Sequence, residues 1–201
     1  MSAVDQARRA IFLDKDGTLI ENVPYNVDPA RIALTRGAGE ALRRLGDAGY
    51  ILIVVSNQPG VAQGRFGGQA LDAVEARLRS LLAENGVVLA GCYWCPHAPS
   101  GRGAFEEGCD CRKPAPGLVL RAARRHGVDL AQSWLIGDIL DDIEAGCRAG
   151  CRTILLDNGN ETLWEWSALR WPHYIVPTLA EAASAILDES VASLPVDALE
   201  T

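Results

Sequence analysis

Short runs that are apolar at almost every position alternate along this chain with longer stretches whose apolar residues recur every three or four positions. Tyr50-Ile51-Leu52-Ile53-Val54-Val55 is the clearest run, continuous and β-branched as a central parallel strand buried on both faces would be. Residues 10–13, 87–93, 134–136 and 153–156 read the same way, and 174–176 is a shorter sixth strand. Between them, 37–47 places Ala38, Ala41, Leu42 and Leu45 on one helical face and stops at Gly49. Residues 69–84 do the same with Leu71, Val74, Leu78, Leu81 and Leu82 before Gly86, and 116–125, 141–148 and 179–187 complete the helices. This rhythm predicts an α/β fold: a doubly wound, Rossmann-like parallel sheet with helices on both faces and right-handed crossovers. One domain over 8–188, followed by a loose tail at 189–201, accounts for the pattern, which contains no internal repeat.

The polar residues that interrupt this pattern fall at the ends of the strands. Asp14-Lys15-Asp16-Gly17-Thr18 follows the first run, where open α/β sheets place their ligands, and Gly17 lets the chain turn back over that point. Asp14 is placed to attack phosphorus and hold a phosphoryl group, and Asp16 to protonate the leaving oxygen and then deprotonate water. A polar turn after a strand is the plain alternative. Ser56 ends the second run, Lys113 precedes a proline that disfavours helix, and Asp138 and Asp142 follow the fourth run. A hydroxyl and an ammonium there suit the charge that develops on a transferring phosphoryl group. Four carboxylates would repel a phosphate dianion, so a hard divalent cation such as Mg²⁺ is expected. The aspartates after the fourth strand also suit the first turn of a helix.

Composition narrows the class. At 201 residues, 48% hydrophobic and 22% charged, the chain is long enough to bury a core as one domain, and no run is long enough to span a bilayer. A net charge of -7 argues against a nucleic-acid partner. With no signal-like segment at its start, the chain is expected to be cytoplasmic, and its six cysteines to be metal ligands or core thiols rather than disulfides. Cys95, His97, Cys109 and Cys111 lie close in sequence, and three thiolates with one imidazole make a closed tetrahedral set for structural Zn²⁺. Such a metal would order the glycine-rich 98–108 segment and pin the loop carrying Arg112 and Lys113. Cys92, Cys147 and Cys151 read as core thiols, His126 and His173 show no evident partner, and the five tryptophans read as packing residues.

Taken in order, Asp14-x-Asp16-Gly17-Thr18, Ser56-Asn57-Gln58, Lys113, and Gly137-Asp138 with Asp142 resemble the four motifs of the haloacid-dehalogenase-like (HAD-like) hydrolases over 10–156. Asn57-Gln58-Pro59-Gly60-Val61-Ala62-Gln63-Gly64 and the Cys95 to Pro114 ligand loop narrow the likeness to the small phosphatases acting on heptose bisphosphate and histidinol phosphate, whose zinc loop matches at all four ligands. The resemblance implies a Mg²⁺-dependent phosphatase of a small phosphorylated metabolite, monomeric and without a cap domain, since 21–34 and 95–113 are too short to hold one. It implies that Mg²⁺ sits on the Asp14 side chain, the Asp16 carbonyl and the Asp138 side chain, with Asp142 hydrogen-bonding behind. In an open site the loops would recognise substrate: Asn22 and Tyr25, then Asn57, Gln58 and Arg65, then Arg112, which offers a fork for a second phosphate or for hydroxyls. In the heptose group a lysine usually follows the fourth-motif aspartate, and here that position is Ile139.

Two other classes compete. Cys92-x-x-Cys95 resembles a thiol-disulfide oxidoreductase pair, but that reading leaves Cys109 and Cys111 unexplained. A nucleic-acid 3′-phosphatase shares a similar Asn-Gln-Gly loop but calls for a basic stripe that the chain lacks.

Overall fold

The computed structural model describes residues 7–99 and 109–192. Six strands form one parallel sheet: β1 (Arg9–Leu13), β2 (Tyr50–Asn57), β3 (Leu89–Cys95), β4 (Trp134–Gly137), β5 (Arg152–Leu156) and β6 (Tyr174–Val176). Five helices alternate with them: α1 (Ala38–Asp47), α2 (Gln69–Ala83), α3 (Gly117–His126), α4 (Leu140–Ala149) and α5 (Leu179–Ala192). The spatial order β3-β2-β1-β4-β5-β6 means that the chain winds outward from β1, then returns to the centre and winds the other way from β4. The expected architecture is therefore present. The last helix runs through 189–192, further than the loose tail expected there, while 193–201 lie outside the described residues.

Period-two alternation along the strands divides the core. Ile11, Leu13, Leu52 and Val54 face one side, where α1, α2 and α5 contribute Leu42, Leu45, Val74, Leu78, Ala183 and Ile186. Ala10, Phe12, Ile53 and Val55 face the other, against Leu118, Val119, Ala122 and Ala123 of α3. Residues directed to both faces explain why the sequence reads as continuous apolar runs, not alternating ones. Phe12 is fully buried, and its truncation to alanine would cost about 3–5 kcal/mol.

The fold puts its chemistry at the switch in strand order. β1 and β4 are neighbours in register, with Leu13 opposite Ile136, so Asp14 and Asp138 leave adjacent strands side by side at their carboxyl ends. The amide of Asp14 extends the ladder by donating to the Ile136 carbonyl at 3.0 Å. Between Asp14 and α1 lies only a loop with one short 3-10 turn at Pro29–Arg31. The buried Asn26 organises that loop, donating to the Arg31 carbonyl and accepting from the Asp28 amide. No cap is inserted there; much of the second possible insertion point lies outside the described residues.

Candidate active site and metal centres

Asp14, Asp138 and Asp142 converge, with one carboxylate oxygen from each within 4.8 Å of the others. Lys113 is buried among them. Its Nζ lies 2.5 Å from Asp14 Oδ1, 2.5 Å from Asp142 Oδ1 and 3.0 Å from the Val55 carbonyl, which engages all three of its protons. Burial alone would lower the lysine pKa, but the carboxylates of Asp14 and Asp142 outweigh it and raise it, so the ammonium stays charged. With one Asp14 oxygen held this way, the other is left for chemistry.

Asn57 holds Lys113 in place. Its side-chain amide donates to the Lys113 carbonyl at 3.1 Å and accepts from the Lys113 amide at 3.0 Å. Gln58 is likewise committed, donating to Asp16 Oδ2 and to Ser56 Oγ, both at 3.1 Å. The two residues expected among the substrate contacts thus hydrogen-bond to other residues of the site in this structure. Asp16 also meets Lys15, whose Nζ is 2.9 Å from its Oδ1, and Lys15 is fully buried although it sits between two aspartates in sequence. Burial raises the Asp16 pKa, with Lys15 opposing and the Asp14 charge adding.

The donor set fits a hard cation. Four carboxylates face two ammonium groups, leaving the site short of positive charge. Burial, then repulsion from Asp14, raises Asp138 from 3.8 to about 7. Asp142 is also raised by burial, against the pull of Lys113. A divalent ion on these oxygens would favour the charged carboxylates and so offset both shifts. Asp142 also caps α4, its Oδ2 accepting from the Ile139 amide at 3.4 Å, so its capping and site roles coexist.

Three residues to which the sequence assigned no role complete this corner. Thr18 Oγ1 donates to Asp138 Oδ1 at 3.4 Å, Asn160 Nδ2 to Asp138 Oδ2 at 2.9 Å, and Asn158 Nδ2 to the Gly17 carbonyl at 2.7 Å. Gly17 is required twice over. Its φ is +81°, and an added Cβ would lie 2.1 Å from Asp138 Oδ2 and 2.4 Å from Asn160 Nδ2.

The second cluster gathers all four expected zinc ligands. Cys95 Sγ is 3.1 Å from Cys111 Sγ and 3.9 Å from Cys109 Sγ, and His97 Nδ1 is 3.5 Å from Cys95 Sγ and 3.1 Å from Cys111 Sγ. Tetrahedral Zn²⁺ with Zn–S bonds of about 2.3 Å needs sulfur atoms about 3.8 Å apart. The Cys95–Cys109 pair has that spacing and the Cys95–Cys111 pair is closer. Three thiols and an imidazole with ligand atoms all within 4.8 Å of one another are a donor set that fits the ion. Burial raises the Cys95 and Cys111 thiols; at Cys109 burial also raises, but hydrogen bonds from the Arg112 and Cys111 amides and from the Cys111 and Cys95 thiols together outweigh it and lower the pKa. The cluster is joined to the carboxylate site: the Cys95 carbonyl accepts from the Gln58 amide at 2.7 Å, and Arg112 Nη1 donates to the His97 carbonyl at 3.1 Å. Cys92 and Trp94 pack on one face of the sheet, Tyr93 and Cys95 on the other. A Cys92–Cys95 dithiol would have to pass through the sheet, which removes the oxidoreductase reading.

The other expected contacts are more scattered. Arg65 stacks over the Tyr25 ring at 4.0 Å and donates to Gln63 Oε1 at 3.0 Å, while Tyr25 sits at φ +56°. Asn22 lines a cleft beside Gly17. The histidines do have partners: His126 Nε2 is 3.0 Å from the Tyr93 hydroxyl, and His173 Nδ1 accepts from the Thr153 amide at 3.1 Å. Trp134 is core, but Trp166 and Trp171 are exposed and lie against each other, contrary to the packing role expected. Among the described residues no helix is long and apolar enough to cross a membrane.

Residues 110–182 match the family model described as HAD-hydrolase-like. The chain is 41% identical to a D-glycero-beta-D-manno-heptose-1,7-bisphosphate 7-phosphatase of Haemophilus ducreyi over 150 residues, 74% of this chain and 82% of the relative. It is 35% identical to the enzyme of that name from Escherichia coli, over 92% of this chain and 91% of the relative. The fold is similar to that of a D,D-heptose 1,7-bisphosphate phosphatase from B. bronchiseptica in complex with magnesium and phosphate, with a TM-score of 0.75 and 32% identity over 90% of this chain and 99% of that one.

Proposed function

Because the chain belongs to the HAD-like hydrolases, among the heptose bisphosphate phosphatases, we propose that it hydrolyses a small sugar phosphate by way of a phosphoryl group carried on Asp14, with D-glycero-D-manno-heptose 1,7-bisphosphate as substrate. The observation that carries this reading is the Lys113 ammonium 2.5 Å from one oxygen of Asp14, with Asp16 two residues on. Lys113 orients Asp14 so that its second oxygen attacks phosphorus. As the bond to the leaving oxygen breaks, Asp16 gives that oxygen its proton; the raised pKa keeps a protonated fraction at hand. Asp16 then takes a proton from water, the water oxygen attacks phosphorus, and Asp14 and phosphate separate. Ser56 and Lys113 offset charge on the phosphoryl oxygens. Asp14, Asp138 and the Asp16 carbonyl would hold Mg²⁺, with Asp142 behind, and the ion would supply the charge that lets a phosphate dianion approach.

We read Cys95, His97, Cys109 and Cys111 as a structural zinc site that sets the strand end and loop carrying Gln58 and Lys113. Tyr25, Arg65 and Arg112 are placed against the sugar, and the chain acts as a monomer with one open domain. Asp14→Asn tests the central step. It should fold normally and lose p-nitrophenyl phosphate hydrolysis; a retained rate above about a tenth of wild type would exclude Asp14 as nucleophile, since losing covalent catalysis costs several kcal/mol of barrier.

A further inference from the structure

Asp14, Asp138 and Asp142 share one small volume but not the same partners. The Lys113 ammonium is paired with Asp14 and with Asp142, each at 2.5 Å, whereas Asp138 has no ion pair among the described residues. Its two oxygens accept instead from neutral groups, the Thr18 hydroxyl at 3.4 Å and the Asn160 side-chain amide at 2.9 Å. Of the three carboxylates, Asp138 therefore keeps a charge that no contact cancels, and that charge is the one a hard divalent cation draws on most. Each oxygen has a second lone pair left after these bonds. A neutral donor fixes the direction of those lone pairs without competing for the charge, as an ammonium in its place would.

The shorter of the two bonds comes from the segment after β5. Asn160 is exposed, yet its amide reaches a carboxylate that is only 3% exposed. Water alone would satisfy an exposed amide, so the reach is set by the segment that carries it. Asn158 grips the Gly17 carbonyl through Nδ2 at 2.7 Å and accepts from the backbone N–H of Asn160 through Oδ1 at 3.2 Å, while Gly159 between them turns at φ +85°. Further along, Arg170 donates from Nε to Glu144 Oε2 at 2.7 Å and from Nη2 to Asp141 Oδ1 at 3.0 Å, fixing the segment to α4. The chain is thus tied down on both sides of Asn160 by contacts that do not involve Asp138.

We propose that Asn160 is a positioning residue for the divalent cation: it holds the Asp138 carboxylate in the orientation that faces Asp14 and Asp142, and so sets how tightly the ion binds. The inference rests on the Mg²⁺ reading above and deepens it by giving the Asp138 ligand a partner from outside the four motifs. Asn160 touches neither the phosphoryl group nor Asp14, so its effect reaches the reaction only through occupancy of the ion site.

The test uses Mg²⁺ alone as the ligand. Calorimetric titration of wild type, Asn160→Ala and Asn160→Gln without substrate gives the dissociation constants, and the Tm of metal-free protein and the Mg²⁺ dependence of p-nitrophenyl phosphate hydrolysis are read alongside. Asn160→Ala should weaken Mg²⁺ binding about tenfold and raise the Mg²⁺ concentration for half-maximal rate to match, with kcat at saturating Mg²⁺ within about threefold of wild type. Its metal-free Tm should fall by no more than about 4 °C, because one hydrogen bond is lost and the ties at Asn158 and Arg170 remain. Asn160→Gln keeps the amide and should recover part of the affinity. Unchanged Mg²⁺ affinity in Asn160→Ala, a larger fall in Tm, or a glutamine variant that binds no better than the alanine one would overturn the assignment and leave the Mg²⁺ reading standing. A wild type that binds no Mg²⁺ overturns both.

Discussion

Asn57→Ala separates two roles that the sequence alone merges. If the Asn57 amide grips the Lys113 backbone, as its pair of hydrogen bonds at 3.1 and 3.0 Å describes, truncation leaves an N–H and a C=O of Lys113 without their partners. An orphaned, part-buried peptide group costs about 1–3 kcal/mol, so a net loss of about 2 kcal/mol is expected. For a chain of this length that corresponds to a fall in Tm of about 4–8 °C. The Val55 carbonyl still holds Lys113 Nζ at 3.0 Å, which limits the damage to a shift of the ammonium from Asp14. Loosening one charge-assisted hydrogen bond by about 1.5–3 kcal/mol lowers kcat by about ten- to a hundredfold. Steady-state kinetics with p-nitrophenyl phosphate and a thermal melt read both effects. Asn57→Asp keeps the acceptor for the Lys113 amide but sets a carboxylate against the Lys113 carbonyl, so it should fall between alanine and wild type. An increase in KM with kcat and Tm unchanged would refute the clamp and return Asn57 to the substrate contacts.

Protein prepared without added zinc should contain close to one equivalent per chain, measured by metal analysis, and Cys92→Ser should change neither metal content nor activity. Finding no zinc in fully active protein would remove that site. Asp138, at about 7, and Asp142 bind protons more tightly in the folded chain than at the ordinary value of 3.8. Their contribution to stability is therefore present at low pH and is lost as pH rises from about 4 through about 7 for Asp138 and about 8 for Asp142 in metal-free protein. Mg²⁺ should thus raise Tm more at pH of about 8 than at about 5.5, because at the lower pH it must displace protons; an equal rise at both would place the ion elsewhere.

The strands, the helices and the catalytic positions were legible because each depends on local pattern. Asp14, Ser56 and Asp138 follow apolar runs, and a strand end fixes where such residues go. The roles of Asn57 and Gln58 were not legible, because their sequence position puts them at the site but says nothing of which way an amide points. Asn158 and Asn160 were missed for a different reason: they lie in an irregular segment more than 120 residues after Thr18, and only the β1–β4–β5 order brings them to Asp138. Lys15 gave no signal at all, since a lysine between two aspartates reads as solvated and is instead fully buried.

Because Asp14 and Asp138 leave neighbouring strands, their separation is inherited from the sheet ladder, about 4.8 Å between strands, and owes little to which side chains fill the core. Natural drift can therefore repaint much of the interior without moving the reacting atoms apart. The same wiring makes failure abrupt. Heating or core damage should leave catalytic geometry intact in every molecule still folded, so activity declines with the folded population and not ahead of it.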